Sequence, residues 1–154
     1  MRKMLSALIV FLGMSIGSSA QTSQTNIADL GYQALKEGDY KTALRYISFL
    51  AANGDARAQY NMGVFYRDGI EVEQNDVKAL RWFLEAAEGG NMLGQYAAGI
   101  AFYRGQGSSP EPQAARHYFV EAALKGHATA PLHVGRLFYA GEGVTQNYAR
   151  AYFW

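Results

Sequence analysis

The stretch that decides the fold runs from Asp55 to Gly90 and reads DARAQYNMGVFYRDGIEVEQNDVKALRWFLEAAEGG, because the rest of the chain repeats it. At a shift of 36 positions it aligns without a gap on Asn91 to Gly126, and the same shift again reaches His127 to Trp154. A fixed period of this length is the signature of a solenoid of stacked repeats. The residues that coincide are Gly63, Gly99 and Gly135, then Gly69, Gly105 and Gly141, then Ala79, Ala115 and Ala151, then Trp82, Tyr118 and Trp154.

The first half of each repeat is predicted to be a helix. In the first repeat it covers about Ala56 to Arg67, and Ala58, Met62 and Tyr66 follow one another at a spacing of four, which places them on one face. Gly63 lowers helix propensity by about 1 kcal/mol relative to alanine. Its return in every repeat therefore predicts a place where another helix backbone approaches closely.

The second half is predicted to be a second helix, from Asp76 to Glu88. Gly69 is suited to end the first helix in a left-handed conformation, and Asn75 or Asp76 is suited to cap the second. Gly90 ends the repeat. No strand is needed, so the fold class is all-α: an α-solenoid of antiparallel helix pairs.

The motifs resemble the Sel-one-like repeat, a 36-residue relative of the tetratricopeptide repeat. The resemblance rests on the stretch from Ala58 to Gly90 and covers three units: residues 55–90, 91–126 and an incomplete 127–154. The loop Gly141-Glu142-Gly143-Val144 matches the family pattern in full. Glu71 and the SSPEP segment after Gly107 depart from that pattern, so the first two loops are expected to differ in shape. Residues 21–54 resemble an atypical, tetratricopeptide-like opening repeat.

The first 20 residues predict a secretory signal peptide. Arg2 and Lys3 precede an apolar run from Met4 to Ile16, and Ala20 ends a stretch of small residues. An uncleaved membrane anchor is the alternative, but a bilayer needs roughly 20 apolar residues. Cleavage after Ala20 leaves 12 basic and 13 acidic residues, a net charge of −1. We therefore expect an exported protein, periplasmic or secreted, with no stable membrane anchor.

Composition excludes several classes of function. A nearly neutral chain without a basic stripe is not typical of nucleic-acid binders. The chain has no cysteine, so it has neither a disulfide framework nor a lipid-bearing cysteine. His117 and His127 are interpreted as surface residues, and His133 has no partner carboxylate at a readable spacing. No metalloprotease, nucleophile-elbow or P-loop motif is present. We expect no enzyme activity and no cofactor.

The non-repeating positions of the first helices are the candidate binding site. In a solenoid the first helices line the concave face. On the helical wheel, the side opposite the packing positions changes from repeat to repeat. We expect these residues to form a groove for a protein or peptide partner: Arg57, Asn61, Phe65, Asp68, Arg104 and His133.

The chain ends on three aromatic residues, Tyr152, Phe153 and Trp154, and Trp154 aligns midway along a second helix. Three explanations are open: a fragment or truncated gene, docking of this end on a partner, or end-to-end pairing of two copies. For the whole molecule, a non-catalytic scaffold or adaptor of the bacterial envelope or secreted space is the first hypothesis. The alternatives are a cell-wall or β-lactam hydrolase and an accessory module of polysaccharide export.

Overall fold

The computed structural model describes residues 26–154, and the predicted signal peptide lies outside the described residues. The chain forms two compact units, Met1–Tyr46 and Ile47–Trp154. The described part of the first unit contains a helix over residues 26–37 (α1) and the start of α2 (Tyr40–Ala52). Asp39 accepts a hydrogen bond from the Thr42 backbone N–H at 3.1 Å, which caps the start of α2.

The second unit consists of the end of α2 and three helix pairs. The described residues of the whole chain contain helices but no strands, which confirms the all-α solenoid. None of these helices is long and apolar enough to cross a membrane. The helix pairs are α3 (Ala56–Asp68) with α4 (Asp76–Glu88), α5 (Met92–Arg104) with α6 (Pro112–Leu124), and α7 (Ala130–Ala140) with α8 (Tyr148–Phe153).

Side chains cap four helices of the second unit, and the cap of α4 is at a predicted position. Asn75 Oδ1 accepts from the backbone N–H of Lys78 at 2.9 Å, which confirms the predicted start of α4. Asp55, Asn91 and Asn147 do the same for α3, α5 and α8. Each such bond satisfies an N–H group that the first helical turn leaves without a partner.

The three loops between paired helices share one backbone conformation. Gly69 ends α3 in the left-handed region with φ 67°, as predicted, and the glycines that end α5 and α7 have the same conformation. Asn75 N–H donates to Tyr66 C=O at 2.8 Å, and the equivalent bond recurs at the same positions of the other two repeats. The expectation that the first two loops differ in shape is therefore wrong, because these backbone bonds hold the loop whatever its side chains are.

The core lies within each helix pair and also between successive pairs. Phe119 of α6 is fully buried and packs with Val134, Leu137 and Phe138 of α7. A Cβ placed on Gly99 would lie 2.7 Å from the Phe119 ring, and a Cβ on Gly63 would overlap the Phe83 ring. The predicted close approach at Gly63 is thus made by an aromatic side chain of the paired helix, not by a helix backbone. Each glycine leaves room for a ring.

Candidate functional site: the inner groove of the first helices

A groove of about 260 Å³ is lined by α3 and α5, the first helices of two successive repeats, and by α4, the second helix of the first of these repeats. We call it the inner groove. Leu93 and Arg104 are exposed at its two ends, and Leu93 is 42% exposed. Its lining includes Tyr60, Leu93, Tyr96, Ala97, Ile100 and Arg104.

Two tyrosines at equivalent positions shape this groove. The Tyr60 ring lies 5.9 Å from the Phe83 ring, and the Tyr96 ring lies 5.8 Å from the Phe119 ring. Because each tyrosine rests on the phenylalanine of its own repeat, the 36-residue period fixes both rings in the same place. Both are half-buried. They therefore offer a rigid apolar surface with a polar tip, which suits a binding site.

A second group of side chains surrounds Tyr96 and is called here the arginine–histidine cluster: Tyr96, Arg104, His127, His133 and Arg136. The His127 ring stacks on Tyr96 at 3.9 Å. His133 Nε2 lies 3.2 Å from the Tyr96 hydroxyl, and the His133 ring stacks on Phe119 at 4.6 Å. The start of α7 thereby places both histidines against α5 and α6.

Burial and neighbouring charge both keep these histidines neutral. Burial lowers the pKa of His133, and the nearby positive charges of Arg136, Arg104 and His127 lower it further. Burial also lowers the pKa of His127. The charged groups that act on His133 are all basic, so this part of the surface carries positive charge.

The structure brings two of the predicted site residues together and separates the others. Arg104 lines the inner groove with Tyr96, His133 bonds to the Tyr96 hydroxyl, and the charge of Arg104 contributes to the lowered pKa of His133. Arg57 and Asn61 lie on the first turns of α3, outside the inner groove, and Asn61 donates to the Arg57 carbonyl at 3.0 Å. Asp68 forms an ion pair with Arg67 at 2.7 Å, which lowers the pKa of the Asp68 carboxyl.

Phe65 is a correction to the predicted site. Its side chain is 2% exposed, so it belongs to the core and cannot line a surface groove. The cause is that α3 packs on more than one side: its buried residues also include Ala58, Gln59, Met62 and Gly63. A single packing face assigned from Ala58, Met62 and Tyr66 was too narrow.

The tyrosines are the functional candidates that the sequence did not indicate. Neither Tyr60 nor Tyr96 was among the residues predicted to bind a partner, yet both line the groove. The signal that could have found them is their place in the helix. They follow the buried Gln59 and Gln95 directly, at the edge of the packing face.

The aromatic end of the chain lines a second, wider groove of about 780 Å³ together with α7. Tyr152 and Phe153 are 95% and 80% exposed, whereas Trp154 is half-buried and packs against the core that contains Phe119. In the alignment of the repeats, Tyr152 corresponds to Leu80, which is buried beside α5.

No group of three or more histidine, aspartate or glutamate side chains in residues 26–154 is arranged to hold a metal ion. His117, the remaining histidine, is exposed and lies 3.6 Å from Glu121 one turn later on α6.

The family follows from the period together with a match to the Sel1 repeat model over residues 56–91, 93–127 and 132–154. The chain belongs to the Sel1 repeat family. Proteins built from Sel1 repeats are in general scaffolds for protein–protein interaction, and the helical repeat is typically non-catalytic. No curated protein sequence matches the chain significantly.

Solved structures of Sel1 repeat proteins have the same fold. A Sel1 repeat protein from Oxalobacter formigenes is 31% identical, with a TM-score of 0.76, over 80% of this chain and 51% of that one. The protein c5321, a protective antigen of uropathogenic Escherichia coli strains, is 28% identical with a TM-score of 0.82. That match covers 88% of this chain and 30% of c5321. This chain thus spans about half the length of the first relative and less than a third of the length of c5321.

The cysteine-rich protein B of Helicobacter pylori also has a similar structure. It is 18% identical, with a TM-score of 0.62, over 72% of this chain and 90% of that one. At this identity the likeness concerns the fold alone. In the cysteine-free chain described here, the same helix pairs are held together without disulfide bonds.

Proposed function

We propose that this Sel1 repeat protein is an exported, non-catalytic scaffold that binds a protein partner in the inner groove. The observation that carries the proposal is the composition of that groove. An exposed leucine, two half-buried tyrosines and an arginine converge between two first helices. Interface cores are enriched in aromatic residues and arginine.

The geometry of the groove supports binding of an extended or helical segment. Leu93 and Ile100 lie on the same side of α5, two turns apart, and Arg104 follows one turn later. A partner segment along α5 would therefore meet apolar side chains first and a positive charge at the end. Apolar contacts supply affinity, and the charge fixes the orientation of the segment.

Two exposed leucines provide a matched test. Leu93 lies in the inner groove, whereas Leu124 lies at the end of α6, lines neither groove and is 76% exposed. The wild-type mature chain, Leu93→Asp and Leu124→Asp are used in parallel to purify bound proteins from the producing cells, with identification by mass spectrometry.

We expect one partner to bind the wild type and Leu124→Asp with equal yield, and its affinity to fall by roughly tenfold or more in Leu93→Asp. A partner that binds Leu93→Asp as well as the wild type, or that both variants lose equally, would contradict binding in the inner groove. Circular dichroism of each variant verifies that it is folded.

Export is part of the same proposal and rests on residues 1–20, with their basic start, apolar run and small residues before Gln21. We expect the intact mass of the protein recovered from outside the cytoplasm to correspond to a chain that begins at Gln21. Recovery of the full-length chain from the cytoplasm alone would contradict export.

A further inference from the structure

We propose that Arg104 and Arg136 form a binding site for an acidic segment of a protein partner, with Tyr96 and His133 between them. The inference rests on the proposed function, because it assigns a chemical class to the partner of the inner groove. Two features of the arginine–histidine cluster support the inference: its positive charges and the rigidity of its aromatic side chains.

The two arginines have no carboxylate partner in the described part of the chain. Ion pairs in that part include Arg67 with Asp68, Arg81 with Glu85, and His117 with Glu121. Arg104 lines the inner groove and Arg136 lines the wider groove next to it, and both are exposed. Their charges are therefore available to a ligand, whereas that of Arg67 is already neutralised by Asp68.

The surface between the arginines is held in place by aromatic contacts. Tyr96 is fixed by His127 on one side of its ring, by Phe119 below and by His133 at its hydroxyl. A rigid site loses less conformational entropy when a ligand binds. Because the Tyr96 hydroxyl and His133 Nε2 bond to each other, the pair keeps one donor for a carboxylate: the Tyr96 O–H if Nε2–H donates to the hydroxyl, or the His133 Nδ1–H if the hydroxyl donates to Nε2.

Each of the two grooves is lined by one acidic side chain. Asp76 is at the start of α4 and Glu142 is in the loop after α7, and neither forms an ion pair with Arg104 or Arg136. The groups whose charge reaches His133, at the centre of the cluster, are basic only. An acidic ligand is thus complementary to the centre.

Apolar neighbours favour a polypeptide over a charged polysaccharide. Leu93 and Ile100 of α5 line the inner groove together with Arg104, and Leu132 of α7 lines the wider groove together with Arg136. An acidic peptide can place a carboxylate between the arginines and an apolar side chain against these leucines. A uniformly charged polymer gains nothing from that apolar wall.

The test is a selection of random 12-residue peptides displayed on phage, with the mature chain as bait. Two charge-reversed baits are compared: Arg104→Glu with Arg136→Glu, and, as a control, Lys36→Glu with Arg81→Glu. The control makes the same change of net charge at exposed positions that line neither groove. The neutral pair Arg104→Gln with Arg136→Gln serves if the reversed variant does not fold.

We expect the wild type and the control bait to select peptides that contain at least two acidic residues. Their affinity should fall by roughly tenfold in the Arg104 and Arg136 variant and should weaken as salt is added. Neutral or basic selected peptides, or acidic ones that bind the variant equally well, would overturn the proposal. Heparin that binds more tightly than the selected peptides would overturn it in favour of an acidic polysaccharide.

The peptides also distinguish failure of the acidic-ligand proposal from failure of the proposed binding in the inner groove. Peptides that bind the wild type, lose affinity in Leu93→Asp and are not acidic would contradict the acidic ligand alone. Peptides that bind equally to Leu93→Asp and lose affinity in Leu124→Asp would place the binding surface elsewhere and contradict both proposals. Selection of no peptide at all also counts against both.

Discussion

At the scale of single residues, Glu71 shows how strongly the repeat controls the backbone. It is the only non-glycine residue with positive φ, 57°, in the part of the chain that the structure describes. The equivalent residues of the next two repeats are Gly107 and Gly143, with φ of 81° and 64°. The sequence shows the departure from glycine, but it does not show that the backbone keeps the glycine conformation.

Glycine at position 71 is therefore expected to stabilise the protein. A side chain in the left-handed region costs about 1 kcal/mol, and the greater flexibility of glycine in the unfolded chain offsets part of the gain. We expect Glu71→Gly to raise the free energy of unfolding by about 0.5 kcal/mol in urea denaturation. The control Glu73→Gly, at an exposed loop position without positive φ, should lower it. A Glu71→Gly variant that is less stable than the wild type would show that the positive φ of Glu71 does not destabilise the folded protein.

His133 gives a prediction for pH. Its pKa is lowered in the folded protein, mainly by burial and further by Arg136, Arg104 and His127. The unfolded chain, with a histidine pKa of about 6.5, then binds more protons than the folded one at mildly acidic pH. This contribution to stability is present above pH 6.5 and is lost as the pH falls toward the folded pKa.

We expect the ring protons of His133 and His127 to titrate with midpoints below about 6.5 in NMR spectra of the folded protein. His133→Gln should weaken the fall of the melting temperature between pH 7.5 and pH 5.5. A His133 midpoint at or above that of a free histidine would contradict its place among the arginines.

At the scale of helices, the sequence predicted where a helix begins and ends better than it predicted which side of the helix is buried. The predicted second helix, Asp76–Glu88, agrees with α4 at both ends, because a capping asparagine and terminal glycines mark them. The buried face of α3 was predicted less well. Phe65 was placed on the surface, although its equivalents Ala101 and Leu137 are apolar and buried. A wheel drawn for one helix does not show how many neighbours that helix has.

The contact between Gly99 and Phe119 is the element-scale feature that can be measured. The Phe119 side chain is fully buried, so it cannot move away from a methyl group added at position 99. We expect Gly99→Ala to lower the free energy of unfolding by about 1 to 3 kcal/mol, despite the better helix propensity of alanine. The measurement is chemical denaturation followed by circular dichroism.

A double-mutant cycle with Phe119→Leu separates this clash from other effects. Leucine removes part of the ring, so Gly99→Ala should cost less in the Phe119→Leu background than in the wild type. Equal costs in both backgrounds would show that the ring is not what excludes a side chain from position 99.

At the scale of the whole molecule, the 36-residue period predicts that helix pairs stack in a solenoid. It does not predict which side chains of different repeats come into contact. His127 and His133 are 31 and 37 residues from Tyr96 along the chain and reach it because α7 packs beside α6, the partner helix of α5. Only Arg104 and His133 of that cluster were predicted as site residues. The other members follow from tertiary packing, which a comparison of aligned positions does not include.

Site-specific cross-linking in living cells tests the central claim, that the inner groove is the binding surface, most directly. A photoreactive amino acid replaces Leu93 in the inner groove in one strain and Leu124 outside it in another. Our account predicts one discrete cross-linked partner from position 93 and none from position 124. The same partner cross-linked at position 124, with none at position 93, would contradict it.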